Sequence, residues 1–576
     1  MTEEKKLTGY PSIDKPWLKY YSADELNITV PECSIYENLL SHSEKRQKQT
    51  AIEYMGIKVS YKELFKRIEE TAHALKAIGV NEGDIVSVCL PNIPEVVYLF
   101  YALNRLGAVA NMLDPRCGET ALKTALIEGQ TKVLFTLDSV AGKFKCFLKE
   151  TSVLTAVTVS AIQSFSAPLQ SIIALKDKSL KVKCPAGFRT WNSFMKEARN
   201  HRDSIQTIYE EDADAVIAYT GGTTGQPKGV IATNKNLNSV VEMELRVGFN
   251  ESVGDRLLDI APPWTYYGIC NSLHVPLCMG LCVVLLPKLG ADELGMVITK
   301  IKPNHVITVP SSLDSLISDK RLEKRDFRFL KSVIVGADKC DESLERRVNA
   351  FLSSHGCGAV VTKGYGMTEV MAAAAYTKRE CNGIGSVGIP YPGNTISAFS
   401  ECNGVIRECK VTERGEIAIQ GPSVMKAYFG SASEETCSIK RRHEDGSIWV
   451  HTGDIGYIGE DGRIYIEGRM KRMFVRNGYK VFPGSVEHCI MKHPEVANTG
   501  VVPVQDSVMG NLTTAFVVLK NANSDKERVQ ETLISVLSKE LYDYELPDVY
   551  IFIEDLPLTG MGKIDYRALE EMAKGK

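Results

Sequence analysis

Glycines, threonines and one lysine are concentrated in a single short stretch, residues 219–230, which reads YTGGTTGQPKGV. Glycines let backbone N–H groups come close to phosphate oxygens, hydroxyls donate further hydrogen bonds, and a lysine adds a positive charge. The stretch therefore predicts a loop that holds a polyphosphate through Thr220, Gly221, Gly222, Thr223, Thr224, Gly225 and Lys228.

The preceding residues, DAVIAYT, form a short apolar and β-branched run that predicts a strand. A loop at a strand end is where ligands bind in α/β sheets. The pattern differs from the Walker phosphate loop, because Lys228 lies between Pro227 and Gly229 and no Ser or Thr follows it directly. A flexible glycine–threonine linker is the alternative interpretation.

Four more motifs follow downstream: GYGMTE at 364–369, HTGDIGYIGEDGRIYIEGRMKR at 451–472, NGYKVFPGSVE at 477–487 and PLTGMGKID at 557–565. They carry two carboxylates, Glu369 and Asp454, and two cations, Arg469 and Lys563. One such motif is a weak signal, but the set in this order is specific.

The elements that must position these motifs alternate between strand and helix. Apolar residues recur on one helical face over residues 61–78, and Gly79 follows as a stop signal. DIVSVCL, HVITVP and KSVIVGAD read as buried strands, each followed by a helical pattern. Such alternation predicts an α/β fold with helices packed on mainly parallel sheets.

The sequence pattern changes after about residue 385. GEIAIQG, IWVHTGD and RIYIEGR predict short strands, and Asp461-Gly462 predicts a hairpin turn between two of them. Mixed helices and strands resume after Arg469. We therefore expect a large N-terminal domain over 1–469, including a β-rich subdomain over about 385–469, and a small mobile α+β domain over 470–576.

Composition excludes several classes of protein. The chain has 576 residues and a net charge of −3, so no global field points to nucleic acid or to an anionic membrane. Its 15 cysteines form no CxxC pair and no Cys/His cluster, which favours reduced thiols in the cytoplasm over a disulfide framework or a zinc site. The N-terminus has no apolar core and does not predict a secretory signal. The most apolar windows are interrupted by Asn104 and Arg105, which favours a buried helix over a membrane span.

Together the motifs resemble those of the adenylate-forming (AMP-binding) superfamily, which includes acyl-CoA synthetases, adenylation domains of peptide synthetases and luciferases. The resemblance extends from about Ile35 to Leu569. It implies that ATP activates a carboxylic acid as an acyl-adenylate with release of pyrophosphate, and that a thiol then takes the acyl group. It also implies ATP, Mg²⁺ and coenzyme A as cofactor and co-substrates.

The resemblance also implies a role for each motif residue. The loop from Thr220 to Lys228 would hold the β- and γ-phosphates, Glu369 would bind Mg²⁺, and Thr368 would touch the α-phosphate. Asp454 would accept the ribose hydroxyls, and Arg469 would reach the same ribose. The adenine would lie against Tyr365, with Gly364, Gly366 and Met367 beside it and Gly336, Ala337 and Asp338 at its border.

Three residues of the C-terminal motifs are implied in catalysis and domain movement. Lys563 would bridge the attacking carboxylate and the α-phosphate, although an isolated Gly-Lys is usually an exposed loop. Lys471 would be the hinge about which the small domain swings between the two steps. Gly478 would then border a tunnel for the thiol arm, and a plain turn glycine in Asn477-Gly478 is the alternative.

The acid is the least defined part of the prediction. Acetate-activating relatives have a tryptophan at the position of Gly366, so a glycine favours a longer acid. Amino-acid-activating relatives have an aspartate near 263–268, and none occurs here, which disfavours a free α-amino acid. Two positions depart from the family pattern: Gly221 replaces the usual serine, and Thr265 replaces a histidine. The acyl pocket would include Trp264, Thr265, Tyr266, Tyr267 and Gly366, although the aromatic residues could equally belong to the core.

Three functions are compatible with these residues. The first is an AMP-forming acyl-CoA ligase acting on a medium- or long-chain fatty acid or an aryl acid. The second is a stand-alone adenylating enzyme that loads an acyl carrier protein. The third is a silent nucleotide-binding protein, which the intact Lys563, Glu369 and Asp454 disfavour.

Overall fold

A computed structural model describes residues 7–176, 182–201, 204–206, 209–220, 227–287, 293–402, 405–477, 479–506, 508–559 and 563–574. In chain order the strands of this part are β1 (Thr50–Tyr54), β2 (Ile57–Ser60), β3 (Ile85–Cys89), β4 (Val109–Met112), β5 (Val133–Leu137), β6 (Thr155–Val159), β7 (Arg189–Thr190), β8 (Asp214–Tyr219), β9 (Gly229–Thr233), β10 (Arg256–Asp259), β11 (Cys282–Leu285), β12 (His305–Thr308), β13 (Ser332–Val335), β14 (Val361–Tyr365), β15 (Ala375–Tyr376), β16 (Ile389–Pro390), β17 (Thr395–Cys402), β18 (Val405–Glu408), β19 (Gly415–Gln420), β20 (Ala427–Tyr428), β21 (Lys440–Arg442), β22 (Ile448–Ile458), β23 (Ile464–Arg469), β24 (Phe474–Arg476), β25 (Tyr479–Val481), β26 (Val496–Asp506), β27 (Gly510–Leu519) and β28 (Val549–Ile553).

The α-helices of the same part are α1 (Pro11–Asp14), α2 (Ala23–Leu26), α3 (Ile35–Ser43), α4 (Tyr61–Ala77), α5 (Pro94–Arg105), α6 (Glu119–Glu128), α7 (Ala141–Lys145), α8 (Ala167–Lys176), α9 (Trp191–Lys196), α10 (Asn234–Val247), α11 (Val275–Met279), α12 (Leu294–Ile301), α13 (Pro310–Ser318), α14 (Glu342–Ser354), α15 (Thr436–Ile439), α16 (Pro483–Met491), α17 (Lys526–Leu537) and α18 (Tyr566–Lys574). A π-helical turn over Tyr267–His274 precedes α11. Among these helices none is long and apolar enough to pass through a bilayer.

Two large, mainly parallel sheets form the body of the chain. The order of one is β20-β9-β8-β4-β3-β5-β6-β7, and the order of the other is β16-β15-β14-β13-β12-β10-β11-β1-β2. The predicted phosphate loop leaves the end of β8 and returns as the antiparallel strand β9. The predicted GYGMTE motif begins at the end of β14. Both motifs therefore lie at strand ends, which the sequence predicts for the phosphate loop.

Local sequence explains the elements around these motifs. The side chain of Thr233 caps α10 by accepting from the N–H of Asn236, and the Asn236 side chain accepts from the N–H of Thr233 in return. In β14 the Lys363 ammonium lies 2.6 Å from the Glu345 carboxylate of α14, with both side chains buried. This ion pair fastens the strand that ends at Tyr365.

The predicted β-rich section is an antiparallel sheet with the order β18-β17-β19-β22-β21, in which β23 also pairs with β22. The turn between β22 and β23 contains Asp461 and Gly462, whose φ of 84° is the left-handed conformation that glycine accepts. Asp454 and Arg469 stand opposite each other in this pair of strands. The hairpin thus places two distant motif residues side by side.

Strands β26, β27 and β28 form a separate small sheet near the C-terminus, flanked by α16, α17 and α18. Its core contains Val486, Val517 and Leu533, whereas Val216, Val283 and Ile417 share one large core formed by the three preceding sheets. The predicted fold class is confirmed: a large N-terminal α/β domain with a β-rich part, followed by a small C-terminal α+β domain. The numbered boundary at 469/470 stays a prediction.

Candidate active site

A cleft of about 3120 Å³ brings the sequence motifs together. It is lined by residues of both sheets, of the β-rich part and of the C-terminal domain. Of the predicted site residues, those in its wall are Thr220, Lys228, Trp264, Thr265, Tyr266, Tyr267, Gly336, Ala337, Asp338, Gly364, Tyr365, Gly366, Met367, Thr368, Glu369, Asp454, Arg469, Lys471 and Lys563. Gly221, Gly222, Thr223, Thr224, Gly225 and Gly478 lie outside the described residues.

Asp454 is the centre of a hydrogen-bonded group on one wall. The hydroxyl of Tyr365 donates to Asp454 Oδ2 at 2.7 Å, and Arg469 Nε lies 2.8 Å from Asp454 Oδ1. Burial raises the pKa of the Asp454 carboxyl, and the nearby Arg469 guanidinium opposes that rise. Arg469 also donates to the carbonyl of Thr452 at 3.2 Å. The carboxylate is thus held in a fixed orientation from both sides.

A second group surrounds Glu369. The hydroxyl of Tyr428 donates to Glu369 Oε1 at 2.6 Å, and the Lys228 ammonium lies 5.1 Å from the centre of the Tyr428 ring. The same ammonium pairs with the carboxylate of Glu435. Burial raises the pKa of Glu369, while the Tyr428 hydrogen bond and the charges of Arg469 and Lys228 oppose the rise. Lys228 and Glu369, which sequence alone assigns to separate motifs, therefore act on one patch of the cleft.

The ends of the phosphate loop are tied to each other. The N–H of Thr220 donates to the Lys228 carbonyl at 2.9 Å, and the N–H of Lys228 donates to Thr220 Oγ1 at 3.0 Å. The loop is therefore closed at its base by the same two residues that begin and end the predicted phosphate contacts. This closure fixes where the loop begins on the wall of the cleft.

Strained backbone surrounds the motif that follows β14. Ala337, Met371 and Ala372 have φ values of 67°, 54° and 57°, which L-residues other than Asn and Asp rarely adopt. A Cβ added to Gly366 would lie 2.4 Å from the backbone carbon of Ala372, whereas one added to Gly364 would meet nothing within 4 Å. Close backbone packing therefore requires the glycine at 366. The glycine at 366 is therefore weaker support for a longer acid than the sequence alone suggests.

The four predicted acyl-pocket residues at 264–267 differ in environment. Tyr266 is 1% exposed, and its hydroxyl donates to the carbonyls of Val216 and Val230 at 3.0 and 2.8 Å, which favours a core role. Tyr267 donates to the Thr308 carbonyl at 3.0 Å. Trp264 faces the guanidinium of Arg116 at 5.1 Å, and Thr265 Oγ1 donates to the Pro262 carbonyl at 2.8 Å. Trp264 is accordingly the aromatic residue of this segment least committed to the core.

Lys563 belongs to the C-terminal domain, where its N–H donates to Thr559 Oγ1 at 3.2 Å. Its Nζ forms no hydrogen bond or ion pair with a described residue. The positive charge of Lys563 is close enough to Asp454 to oppose the rise in the pKa of that carboxyl. The lysine is thus available to a ligand in the cleft.

The residues around the predicted hinge are fastened to different parts of the chain. Arg469 is held by Asp454 and Thr452 of the β-rich part. Arg472 lies 2.5 Å from the Glu487 carboxylate and 3.4 Å from the centre of the Tyr566 ring, both in the C-terminal domain. Exposed Lys471 lies between these two anchors. Lys471 belongs to a short 3-10 helix, Met470–Arg472, and its role as a hinge stays a prediction.

Sequence reasoning did not identify Tyr428 or Glu244 as residues of the cleft. Tyr428 lies 59 residues after the Glu369 it contacts, in a two-residue strand that no motif covers. Glu244 lies on α10, lines the cleft and accepts a hydrogen bond from Tyr391, 147 residues away. An acidic residue in an otherwise apolar helical face was the only available signal for the latter.

The described residues contain no group of three or more His, Cys, Asp or Glu side chains able to hold a metal ion. A Mg²⁺ ion that takes most of its oxygens from phosphates and water needs only one or two carboxylates. Glu369 is such a carboxylate, because Tyr428 is the one described side chain that donates to it. The donor set therefore fits Mg²⁺ bound together with a nucleotide.

Two family models match the chain. The model of the AMP-binding enzyme matches residues 40–429, and the model of the AMP-binding enzyme C-terminal domain matches residues 485–563. A long-chain-fatty-acid–CoA ligase of Bacillus subtilis is 30% identical over 97% of this chain and 98% of its own length. An indoleacetate–CoA ligase of Aromatoleum aromaticum is 27% identical over 91% of this chain and 95% of its own length.

Solved structures resemble the whole architecture. The crystal structure of ATP-bound MatB from Rhodopseudomonas palustris superposes with a TM-score of 0.78 at 26% identity, covering 94% of this chain and 99% of the other. An anthranilate CoA ligase, AuaEII, in complex with anthranoyl-AMP gives a TM-score of 0.80 at 18% identity, covering 96% of this chain and 100% of the other. At that identity the second likeness supports the fold alone.

Proposed function

This chain belongs to the AMP-binding enzyme family and is an AMP-forming acid–thiol ligase, and we propose that its acid is a medium- or long-chain fatty acid or an aryl acid. Membership confirms the predicted resemblance and the predicted class of enzyme. The observation that carries the proposal is the gathering of Lys228, Glu369, Asp454, Arg469 and Lys563 around one cleft.

In the first step a carboxylate oxygen of the acid attacks the α-phosphorus of ATP, and the bond to the pyrophosphate oxygen breaks. The difficulty is that an anion attacks an anion, so cations must offset the charge. We assign Lys563 to the attacking carboxylate and α-phosphate, Thr368 to the α-phosphate, and Lys228 to the leaving pyrophosphate. Mg²⁺, when bound at Glu369, would neutralise further phosphate charge.

Asp454 and Tyr365 position the nucleoside in this proposal. An ionised carboxylate can accept both ribose hydroxyls, and Asp454 is already oriented by Arg469 and by the Tyr365 hydroxyl. That hydroxyl contact fixes one edge of the Tyr365 ring, which leaves its face for adenine. Gly336, Ala337 and Asp338 would border the base, with Gly364, Gly366 and Met367.

In the second step a thiolate attacks the acyl carbon, a tetrahedral intermediate collapses, and AMP leaves with the former carboxylate oxygen. The C-terminal domain must expose the acyl carbon first, because Lys563 occupies the same cleft. Its separate core and the anchors at Arg469 and Arg472 support a rotation about Lys471. Gly478 would border the thiol in the rotated arrangement.

The proposed acid rests on relatives and on pocket chemistry. The Bacillus subtilis relative is named for long-chain fatty acids, and the Aromatoleum aromaticum relative for indoleacetate. Apolar and aromatic groups line the same cleft here, among them Val247, Phe249 and Trp264.

All 15 cysteines are free of disulfides, which supports a reducing, cytoplasmic location.

The test is pyrophosphate and AMP release across a panel of aliphatic and aryl acids with ATP, Mg²⁺ and coenzyme A. We expect thioester formation with at least one fatty or aryl acid. Acyl-adenylate formation followed by transfer only to an acyl carrier protein would favour the alternative acceptor. ATP binding without pyrophosphate release for every acid would contradict the proposed reaction.

A further inference from the structure

A carboxyl group that the proposed reaction does not use faces the cleft from α10. Glu244 is partly accessible and lines the cleft together with Val247 and Gly248, which lie three and four residues further along the same helical face. The hydroxyl of Tyr391 donates to Glu244 Oε1 at 2.5 Å. Glu244 Oε2 accepts no hydrogen bond from a described residue, so half of the carboxyl is open to a ligand.

The surroundings of Glu244 make an unpaired carboxylate costly. Burial raises its pKa to about 7, and the negative charge of Glu251 adds to the rise. The Tyr391 hydrogen bond is the influence that favours the ionised form, and no cation pairs with Glu244 among the described residues. A buried carboxyl in this condition is stabilised by any ligand that donates a hydrogen bond or brings a positive charge.

The pair makes no direct side-chain hydrogen bond to the described nucleotide residues, although Ala374, which accepts from the N–H of Tyr391, itself donates to the carbonyl of Tyr365. Tyr391 is joined through its N–H to the carbonyl of Ala374, and its ring stacks on Tyr376 with the centroids 4.4 Å apart. In the described residues no hydrogen bond links Glu244 or Tyr391 to the group around Glu369 or to the group around Asp454. Val247 and Phe249 provide apolar surface next to the carboxyl.

A purely structural role would use the carboxyl only to tie α10 to the segment after β16. That role accounts for the Tyr391 contact and for the stacked tyrosines. It makes no use of the second carboxyl oxygen, which is not one of the buried polar atoms without a partner and therefore stands at the accessible surface of the cleft wall. An apolar wall with one acceptor is the usual form of a specificity pocket.

We infer that Glu244 recognises a hydrogen-bond donor, a hydroxyl or an amino group, carried by the acid at the end remote from its reacting carboxylate. This inference rests on the proposed function, because it assumes that an acid occupies this cleft. It narrows the acid from any fatty or aryl acid to one with a polar distal group. The sequence argument against α-amino acids is unaffected, because that argument concerns an amine next to the reacting carboxylate.

The test uses matched trios of acids that differ only in carrying a methyl, hydroxyl or amino group at the remote end, in one aliphatic and one aryl series. Pyrophosphate release gives kcat/KM for each acid. We expect the kcat/KM of the wild-type enzyme to be about tenfold or more higher for the acid with a remote hydroxyl or amino group than for the acid with a remote methyl group. That ratio corresponds to one hydrogen bond of about 1.4 kcal/mol.

Variants separate recognition from folding. Glu244→Leu should remove the preference for a polar remote group and should keep the activity with the methyl-terminated acid. Glu244→Gln keeps the shape and an acceptor oxygen, so it should retain a hydroxyl preference and lose an amino preference. Glu242→Gln is the matched control, because Glu242 lies on the same helix, pairs with His42 at 3.5 Å and does not line the cleft. It should behave as the wild type.

Two failures are distinguishable. Pyrophosphate release with no preference in the wild type, or a preference unchanged in Glu244→Leu, overturns this inference and leaves the proposed function standing. No pyrophosphate release with any acid overturns the proposed function, and this inference with it.

Discussion

At the scale of single residues, the site is organised by hydrogen bonds between side chains that lie far apart in the sequence. Tyr365 donates to Asp454 and Tyr428 donates to Glu369, so each of the two proposed ligand-binding carboxylates has a tyrosine partner. Both carboxyls are buried, and in both cases burial raises the pKa. Positive residues nearby offset part of that rise, which keeps the carboxylates usable as acceptors.

Lys563→Ala should abolish most acyl-adenylate formation and spare the second step. Removing the ammonium removes the charge that offsets the two reacting anions, so we expect a loss of about 100-fold or more in adenylation. The measurement compares ATP-dependent pyrophosphate release with thioester formation from a supplied acyl-adenylate. Equal losses in both half-reactions would contradict the proposed role.

Tyr428→Phe should move the acid limb of the adenylation pH profile to higher pH. Glu369 must be ionised to hold a cation, and burial already raises the pKa of Glu369, so activity falls as pH drops through that raised value. The Tyr428 hydrogen bond favours the ionised form, and its loss raises the pKa of Glu369 further. The measurement is kcat/KM for ATP against pH.

Tyr550→Phe is the control for this profile, because the Tyr550 hydroxyl makes no hydrogen bond with a described residue and lies away from the cleft. Its acid limb should match that of the wild type. Superimposable acid limbs for Tyr428→Phe and the wild type would argue against Glu369 as the titrating group.

At the scale of elements, the strand ends of the two sheets supply the site, and part of this could be predicted from the sequence. The apolar run before residue 220 identifies β8, because buried strands need continuous apolar residues. The strand β14, VTKGY, has no such run and was not predicted. The order of the strands could not be predicted, since it depends on pairing between distant segments. For the same reason the contact of Tyr428 with Glu369 and the contact of Tyr391 with Glu244 could not be predicted. Gly366 was predicted as a residue of the acyl pocket, and the structure shows that close backbone packing against Ala372 also requires a glycine there.

Gly366→Ala should destabilise the fold, and Gly364→Ala should not. The added methyl at 366 would meet the Ala372 backbone at 2.4 Å, and backbone cannot move aside as a flexible side chain can. We expect a loss of about 1–3 kcal/mol in the free energy of unfolding, together with reduced adenylation because Thr368 and Glu369 lie in the displaced segment. Gly364→Ala has open space around the new methyl, which makes it the matched control. Equal melting temperatures for the two variants would refute the packing argument.

At the scale of the whole molecule, the C-terminal domain has hydrophobic cores of its own, and the preceding sheets share a large one. Separate cores allow separate unfolding, because cooperativity depends on shared buried contacts. The same separation allows one body to rotate relative to the other without breaking either core. The proposed two-step reaction requires this rotation.

Leu533→Ala should lower one unfolding transition and leave the other unchanged. Leu533 is fully buried in the C-terminal core, and truncating a buried leucine costs about 2–5 kcal/mol. Calorimetry should show the transition of the C-terminal domain at lower temperature. Ile534→Ala on the same helix is the control, since Ile534 is 43% exposed. A single transition that shifts as one unit would contradict independent cores.

The pairing of Lys228 with Glu435 also bears on how the enzyme turns over. Lys228 already has an anionic partner when a phosphate arrives, so phosphate binding replaces one anion by another. The binding free energy gains only the difference between the two interactions. The same exchange runs backwards when pyrophosphate leaves, because Glu435 is ready to take the lysine back. If Lys228 holds the phosphates as we propose, we expect the ion pair to lower nucleotide affinity and to speed the release of pyrophosphate.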